Sequence, residues 1–288
     1  MKIITHSGHF HPDELLAVAA LLLKYPESEV VRSREEKIIE SGDIVVDVGQ
    51  TYDTKTLKFD HHQSEGAGVR ENGIPYASFG LIWKEFGEEL ASGKEEAAII
   101  EEKLVMPADA GDNGIHIYTP LFEGVNPYTI GDYFDSFIDG ADTLDDLNMA
   151  FFKAIPNAQE LLEREIRAAK RAVSGWEKVR KIYDESRDKR IITLPGSISW
   201  KQVLVPTEAQ FIISPRPDGK WNAKGVPKTV HSFEVKKPFP KNWSGLKDGF
   251  LADISGVADA FFCHKALFMA VAGTKEGAIK LAELALNA

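Results

Sequence analysis

Asp60, His61 and His62 are three consecutive side chains able to hold a metal or move a proton, in the stretch KFDHHQ from Lys58 to Gln63. Leu57 and Phe59 alternate ahead of them, and a polar, Gly-containing segment (Gln63 to Gly68) follows. That pattern predicts a short strand with chemistry at its C-terminal tip, the end where open parallel sheets bind ligands. Two histidines alone are weak evidence. Three further stretches supply compatible groups: His6, His9, His11 and Asp13 after the first strand, Asp47 at the end of a second, and Asp109 with Asp112 in PADAGDNG. Each has an ordinary reading, Asp13 as a helix cap, Asp47 as a strand-end turn former and Asp112 as an Asx turn before Asn113-Gly114. All four together point to a site. Mixed His/Asp ligation without sulfur suits Mn²⁺, Mg²⁺, Zn²⁺ or Fe²⁺. A carboxylate able to bridge suits two ions about 3.5–4 Å apart, which activate water and stabilise charge on a phosphoryl group.

The elements that must position these groups are legible in outline. Lys2 to Thr5 is a strand candidate, and Pro12, Asp13 and Glu14 open an apolar helix from Leu15 to Tyr25 with favourable start signals. Val30 and Val31 suggest a strand, Glu35 to Ser41 a short helix, and Asp43 to Val48 a buried parallel strand. Tyr76 to Leu90 has helical spacing, and a helix over Glu95 to Val105 leads into a loop from Pro107 to Gly114. Leu144 to Ala154 reads as a helix. Gln159 to Arg187 reads as a long charged helix suited to connecting two halves. Beyond it, Ile191 to Leu194, Gln202 to Val205, Gln210 to Ile213 and Lys220 to Val226 are strands or short helices. Phe261 to Ala272 contains one or two strands, and Lys275 to Ala288 is a closing amphipathic helix.

Composition bounds the function classes. The chain has 288 residues, 43% hydrophobic and 27% charged, an ordinary globular balance with room for two domains. Cys263 is the single cysteine, which excludes a disulfide framework and a cysteine-based zinc site. No apolar run approaches a membrane span, and MKIITHSG runs straight into a strand-like segment without a signal core. The expectation is a cytoplasmic protein with no membrane partner. A net charge of −10 argues against nucleic-acid binding over the whole surface. From Lys189 to Lys247, however, eleven Lys/Arg face three acids, a net of +8 that leaves −18 for the remainder. A basic segment beside an acidic one suits an anionic substrate held opposite a metal site.

The order of these motifs resembles the DHH phosphoesterase superfamily, which includes RecJ-type exonucleases, nanoRNases and manganese-dependent family-II pyrophosphatases. The details are closest to the Myg family, whose eukaryotic members are 3′–5′ RNA exonucleases. The matching strings are Thr5 to Glu14 (THSGHFHPDE), Asp43 to Gly49 (DIVVDVG), Tyr52-Asp53, Phe59 to Gln63 (FDHHQ) and Asp109 to Ile115 (DAGDNGI). His231 to Phe233, Trp243 to Leu246, Ser255-Gly256 and Thr274 to Ala278 continue the resemblance through the second half. It implies a two-domain α/β fold with a parallel sheet flanked by helices in a catalytic domain (1–155), a helical connector (156–189) and a smaller mixed α/β substrate-binding domain (190–288), with the site in the cleft between them.

The resemblance also implies a ligand set. Superfamily members carry His-x3-Asp-x-Asp in the first loop, whereas this chain has His6-x4-His11-x-Asp13. The alternative register, His9-x3-Asp13, puts Leu15 at a ligand position. The first register is preferred, with His11 replacing an acid. One ion then takes His6, His11 and Asp47, and the other Asp13, Asp47, His61 and Asp112. Asp60 orients His61, His62 faces the phosphate or leaving oxygen, and His9 either supports a ligand from behind or faces substrate. Mn²⁺ is the ion expected, with Mg²⁺ as the alternative. Arg216, Lys228, His231, Ser255 and His264 are candidate phosphate or ribose contacts, and Trp221 and Trp243 candidate base-stacking side chains. The activity implied is metal-dependent hydrolysis of RNA or short oligonucleotides from the 3′ end. The rivals are a small-molecule phosphatase or pyrophosphatase and a non-catalytic phospho-ligand-binding module. Oligomeric state is left open, a homodimer included.

Overall fold

A computed structural model describes residues 1–288. The chain divides into two compact units, Met1–Lys170 and Arg171–Ala288. The structure is mixed α/β, with two five-stranded sheets flanked by helices.

The first unit runs β1 (Lys2–Thr5), α1 (Pro12–Lys24), β2 (Glu29–Arg32), α2 (Glu36–Glu40), β3 (Ile44–Val46), β4 (Tyr52–Asp53), β5 (Lys58–Phe59), α3 (Ser78–Ala91), α4 (Lys94–Ile100), a π-helical turn (Glu101–Val105), α5 (Met106–Asp112), α6 (Ile130–Asp135) and the start of α7 (Leu144–Glu185). Its sheet has the order β2-β1-β3-β5-β4, parallel except for the edge strand β4, which runs antiparallel to β5. From β1 the chain first adds β2 on one side and later β3 on the other. The carboxyl ends of β1 and β3 therefore flank a topological switch point, where a crevice opens. His6 immediately follows β1 and Asp47 immediately follows β3.

Helix α1 is buried from Asp13 to Leu21 and packs against α3. A helix that is apolar all round belongs in a core, so LLAVAALLL leaves the two acids at its start no route to solvent. Asp13 and Glu14 are both fully buried.

Two expectations about helices are corrected. Pro107 to Gly114 is not a loop, because α5 covers most of it. Pro107 has no N–H to give to a preceding turn, and the π turn just ahead of α5 widens the helix where that bond is missing. Leu144 to Ala154 and Gln159 to Arg187 are not separate helices either. They form one 42-residue helix with Pro156 inside it. Phe151, Ala154, Ile155, Ala158 and Leu162 are buried on both sides of that proline, and this packing holds the helix together across the lost bond.

The second unit holds the rest of α7, then β6 (Ile191–Thr193), α8 (Lys201–Leu204), β7 (Phe211–Pro215), β8 (Trp221–Gly225), α9 (Asp248–Ser255), β9 (Ala260–Cys263), β10 (Met269–Ala272) and α10 (Lys275–Leu286). Its sheet has the order β6-β7-β8-β10-β9, antiparallel apart from the β6–β7 pair. Residues 202–204, expected as strand or short helix, are helical. Cys263 is buried, and burial pushes its thiol up to about 12, which makes it a core side chain rather than a nucleophile. No helix is long and apolar enough to cross a membrane.

Asp109 fixes α5 from inside. Its Oδ2 accepts from Arg70 Nη2 at 2.7 Å, and its Oδ1 accepts from the Gly80 amide at 3.0 Å. Arg70 also donates to Glu101 and to the Pro75 carbonyl. The close approach requires glycine at 80, where a Cβ would lie 1.9 Å from Asp109 Oδ2 and 2.5 Å from Arg70 Nη2. Gly80→Ala should cost about 1–3 kcal/mol, the usual range for overpacking a core. It should appear as a lowered urea midpoint with unchanged slope. A midpoint equal to wild type would refute the clamp.

Candidate metal centre

Three sets of His and carboxylate ligand atoms gather at the carboxyl end of the first sheet: His6, Glu14 and Asp47; Asp47, His61 and His62; His11, Asp13 and Asp112. Within each set the atoms lie within 4.8 Å of one another. Asp47 belongs to two sets, and His61 joins the third to them, its Nε2 lying 3.0 Å from Asp112 Oδ2 and 3.4 Å from Asp47 Oδ1.

Asp47 has a left-handed backbone, φ 57°, and is 3% exposed. Few side chains other than Asn and Asp adopt that conformation readily. It ends β3 early and turns the carboxylate into the crevice. The Asp47 amide donates to the Phe59 carbonyl, tying the turn to β5. Ser78 Oγ sits 2.8 Å from Asp47 Oδ1 and 3.1 Å from the Phe59 carbonyl, with one hydrogen to share between them. Oδ2 is 3.2 Å from His6 Nε2.

His6 is 4% exposed, and burial lowers its pKa to about 4, against the pull of the Asp47 charge. The neutral imidazole so favoured is the ligating form. Its Nε2 touches Glu14 Oε2, and the other Glu14 oxygen accepts from Arg32 Nη2 at 3.2 Å. Arg32 is buried, lies over the Phe151 ring at 4.3 Å, and donates to the Gly8 carbonyl and Asn148. Burial pushes Glu14 and Asp13 well above the usual carboxylate range, and the Asp47 charge adds to it. For His61, burial opposes the charged ring, but Asp112 and Asp47 prevail and raise it to about 10. Burial would likewise raise Asp112, yet contacts with His11 and His61 hold it well below the usual range.

Both oxygens of Asp13 are buried without a hydrogen-bond partner, Oε2 of Glu14 meets His6 Nε2, and Nε2 of His61 meets the Asp47 and Asp112 carboxylates. Buried polar atoms are nearly always satisfied, and the Asp13 carboxylate is not. Carboxylates gathered out of water with imidazoles in this way fit a cation, and the donor set is the one hard or borderline divalent ions take.

The expected residues His6, His11, Asp13, Asp47, His61 and Asp112 all fall in these sets. The grouping differs from that expected: His11 Nδ1 lies 3.2 Å from Asp112 Oδ1, and Glu14 rather than His11 stands with His6 and Asp47. Asp60 does not orient His61. Its Oδ1 accepts from the His62 amide at 3.2 Å and lies 2.7 Å from His62 Nδ1. An Asx turn of this kind folds residue i+2 back onto the carboxylate, so the ring it holds is the second of the pair. His9 lines the adjoining cleft, and Asp109 is the clamp described above. Arg216, Lys228, His231, Ser255 and His264 belong to the second unit. Arg216 is engaged by Asp218 and Asn222, Lys228 by Glu234, and Ser255 by the Leu251 carbonyl. His264 accepts from the Ala266 amide and packs on Phe268. Trp243 is core, packed on Phe239, and Trp221 lies partly buried on β8.

Glu14, Ser78 and Arg34 escaped the sequence reading. Glu14 was detectable, since a helix with no polar face must bury the acids of its first turn. Arg34 lies two residues beyond Arg32 in extended chain, on the same side. It donates from Nε to the Ser7 carbonyl at 3.0 Å and contacts His6 Nδ1 through Nη2 at 2.9 Å. Ser78 carries no such signal.

Fold and site together define an α/β protein with a buried His/carboxylate centre able to hold metal. A family profile described as "Uncharacterised protein family (UPF0160)", MYG1_exonuc, matches residues 2–286. The chain is 30% identical to a Homo sapiens protein named MYG1 exonuclease, covering 99% of this chain and 85% of that one. It is 30% identical to the Schizosaccharomyces pombe MYG1 protein, covering 100% and 98% of the two chains. Identity to the Dictyostelium discoideum MYG1 protein is 27%, over 100% and 97%. The chain belongs to the MYG1 family.

Ligation requires His61 without its extra proton. With its pKa raised to about 10, the ring favours the protonated form at pH 7 and would have to release that proton in order to ligate. Apparent Mn²⁺ affinity should therefore rise with pH from 6 to 9, by up to about tenfold per unit for each proton displaced. Calorimetry in buffers of different ionisation enthalpy measures the release directly. Affinity independent of pH would place His61 outside the coordination shell.

Proposed function

We propose that the protein is a metal-dependent phosphodiesterase of the DHH type, an exonuclease that removes nucleotides from the 3′ end of RNA or short oligonucleotides. The observation that carries this reading is the gathering of three His and carboxylate sets in one crevice, two of them sharing Asp47, with both Asp13 oxygens in the third left unpartnered. The name exonuclease carried by the human relative agrees with it.

In this reading His6, Glu14 and Asp47 hold one divalent ion, and Asp13, Asp47, His61 and Asp112 a second, with His11 beside the latter. Mn²⁺ is the first choice and Mg²⁺ the second. Such ions supply a hydroxide-like nucleophile at neutral pH and neutralise charge on the phosphoryl group. The remaining work falls to side chains. Ser78 fixes one oxygen of Asp47, and Arg32 fixes one oxygen of Glu14, leaving the other oxygen of each turned inward. The His62 pKa is raised, chiefly by its hydrogen bond to Asp60, which favours the protonated ring. With Nδ1 directed at Asp60, Nε2 faces the substrate and can protonate the leaving oxygen.

Arg34 takes the phosphate. The nitrogen His6 Nδ1 has two neighbours, the Arg34 guanidinium and the Ser7 carbonyl at 3.2 Å. A ring that ligates through Nε2 carries its proton on Nδ1, which then donates to Ser7 and no longer accepts from Arg34. That change frees the Nη2 end of the guanidinium, its Nε still held by the Ser7 carbonyl, beside a cleft of about 690 Å³ lined by His9, Gln50 and His62. The basic second unit adds binding in this scheme.

The test is a 5′-labelled oligoribonucleotide incubated with Mn²⁺. Stepwise shortening is expected, faster than any release of phosphate from pyrophosphate or nucleotides. Asp47→Asn should abolish turnover, with a loss of at least about 10³-fold in line with removal of a principal charge-stabilising group, while circular dichroism stays native. Near-normal cleavage by that variant would sink the proposal. Selective hydrolysis of pyrophosphate would replace it with the small-molecule phosphatase.

A further inference from the structure

A second cavity, of about 680 Å³, opens on the far side of His11 and Asp112. Its walls differ from those of the Arg34 cleft. Leu104, Pro107 and Ile130 give it an apolar floor, and Tyr118 stands at its side. Tyr118 is 39% exposed and makes no hydrogen bond or ring contact within the protein. The charged residues lining it are Asp112, Asp132, Asp135 and Lys103, of which Asp132 is tied to Thr129 in a capping box and Lys103 is paired with Glu165. Nothing in the metal scheme uses this space.

We propose that this cavity receives the base of the nucleotide cut from the chain. The inference rests on the phosphodiesterase reading and specifies its substrate. Three observations carry it. First, the cavity shares His11 and Asp112 with the metal-capable sets, so a phosphate held there projects its neighbouring group into it. Second, apolar walls beside an unpartnered aromatic ring suit a flat heterocycle, which stacks irrespective of sequence. Third, three acids line the cavity against one lysine that Glu165 already engages, which disfavours a phosphate and favours a neutral group with amino donors. The two cavities that meet at the metal centre thus divide the substrate. The cleft with Arg34 takes the anionic backbone, and the apolar cavity takes the terminal base.

Gly111 offers a way to close the cavity without touching a ligand. It lines the space, has no left-handed backbone, and a Cβ added there meets nothing within 4 Å. Leucine at this position would extend into open volume in a helix that favours leucine over glycine.

The experiment has a binding arm and a kinetic arm. Calorimetry compares adenosine 5′-monophosphate with ribose 5-phosphate, with and without Mn²⁺. The nucleotide should bind on the order of tenfold more tightly, the scale of one stacked base. Tyr118→Ala and, independently, Gly111→Leu should bring the ratio close to one. Kinetics compares an oligoribonucleotide ending in adenosine with one ending in an abasic ribose, and the ratio of their kcat/KM should collapse in the same two variants. Equal binding of the two phosphates by wild type overturns the proposal, as does a preference that survives both substitutions. Should neither oligonucleotide be cleaved while the nucleotide preference holds and follows Tyr118, the cavity is a base site and the hydrolytic reading is what fails.

Discussion

Everything at the centre depends on a carboxylate held where it is least comfortable. Asp47 sits at a strand end in left-handed backbone, almost without exposure, facing other acids across a crevice. A buried charge of this kind survives only if it is paired and hydrogen-bonded. The Ser78 hydroxyl, His6 and His61 surround it. Each comes from a different place in the chain: the first residue of α3, the residue after β1 and the second residue after β5. The strand order that puts the ends of β1 and β3 side by side is thus also what makes the charge tolerable.

Much of this was legible in the residue pattern, for physical reasons that can be named. The β-branched run Ile44–Val46 and the alternating approach to Phe59 are strong strand signals, and the titratable residues fall just past them. Helix α1 announces itself by Pro12 and two acids before an unbroken apolar run. The role of Glu14 was hidden because acids in a first turn have an ordinary explanation in the helix dipole. Burial, which no local pattern states, turned that acid inward. The Asp60 partner was misassigned for a related reason. Adjacency in sequence favours His61, but the Asx turn places the next ring against the carboxylate.

The two misread helices share a cause. Pro107 and Pro156 are local stop signals, as are the glycines around Asp112. Tertiary packing overrides both prolines. In one case a π turn spreads the mismatch just ahead of α5; in the other a buried apolar stripe continues past the break. Because α5 is a helix and not a loop, Asp112 is presented from a rigid end anchored by the Arg70–Asp109 clamp. Loops position ligands less well than helices do.

The burial of the Asp13 and Glu14 carboxylates has a further consequence, one for the folding equilibrium rather than for chemistry. Acids gathered out of water repel one another in the native state and separate when the chain unfolds. An ion that binds only the native form shifts that balance by mass action, in proportion to the logarithm of its concentration over its dissociation constant. An ion bound at this centre would make thermal stability a readout of cation supply. Melting curves recorded across a series of divalent ions would then rank them by affinity for the native fold, with no substrate in the cuvette.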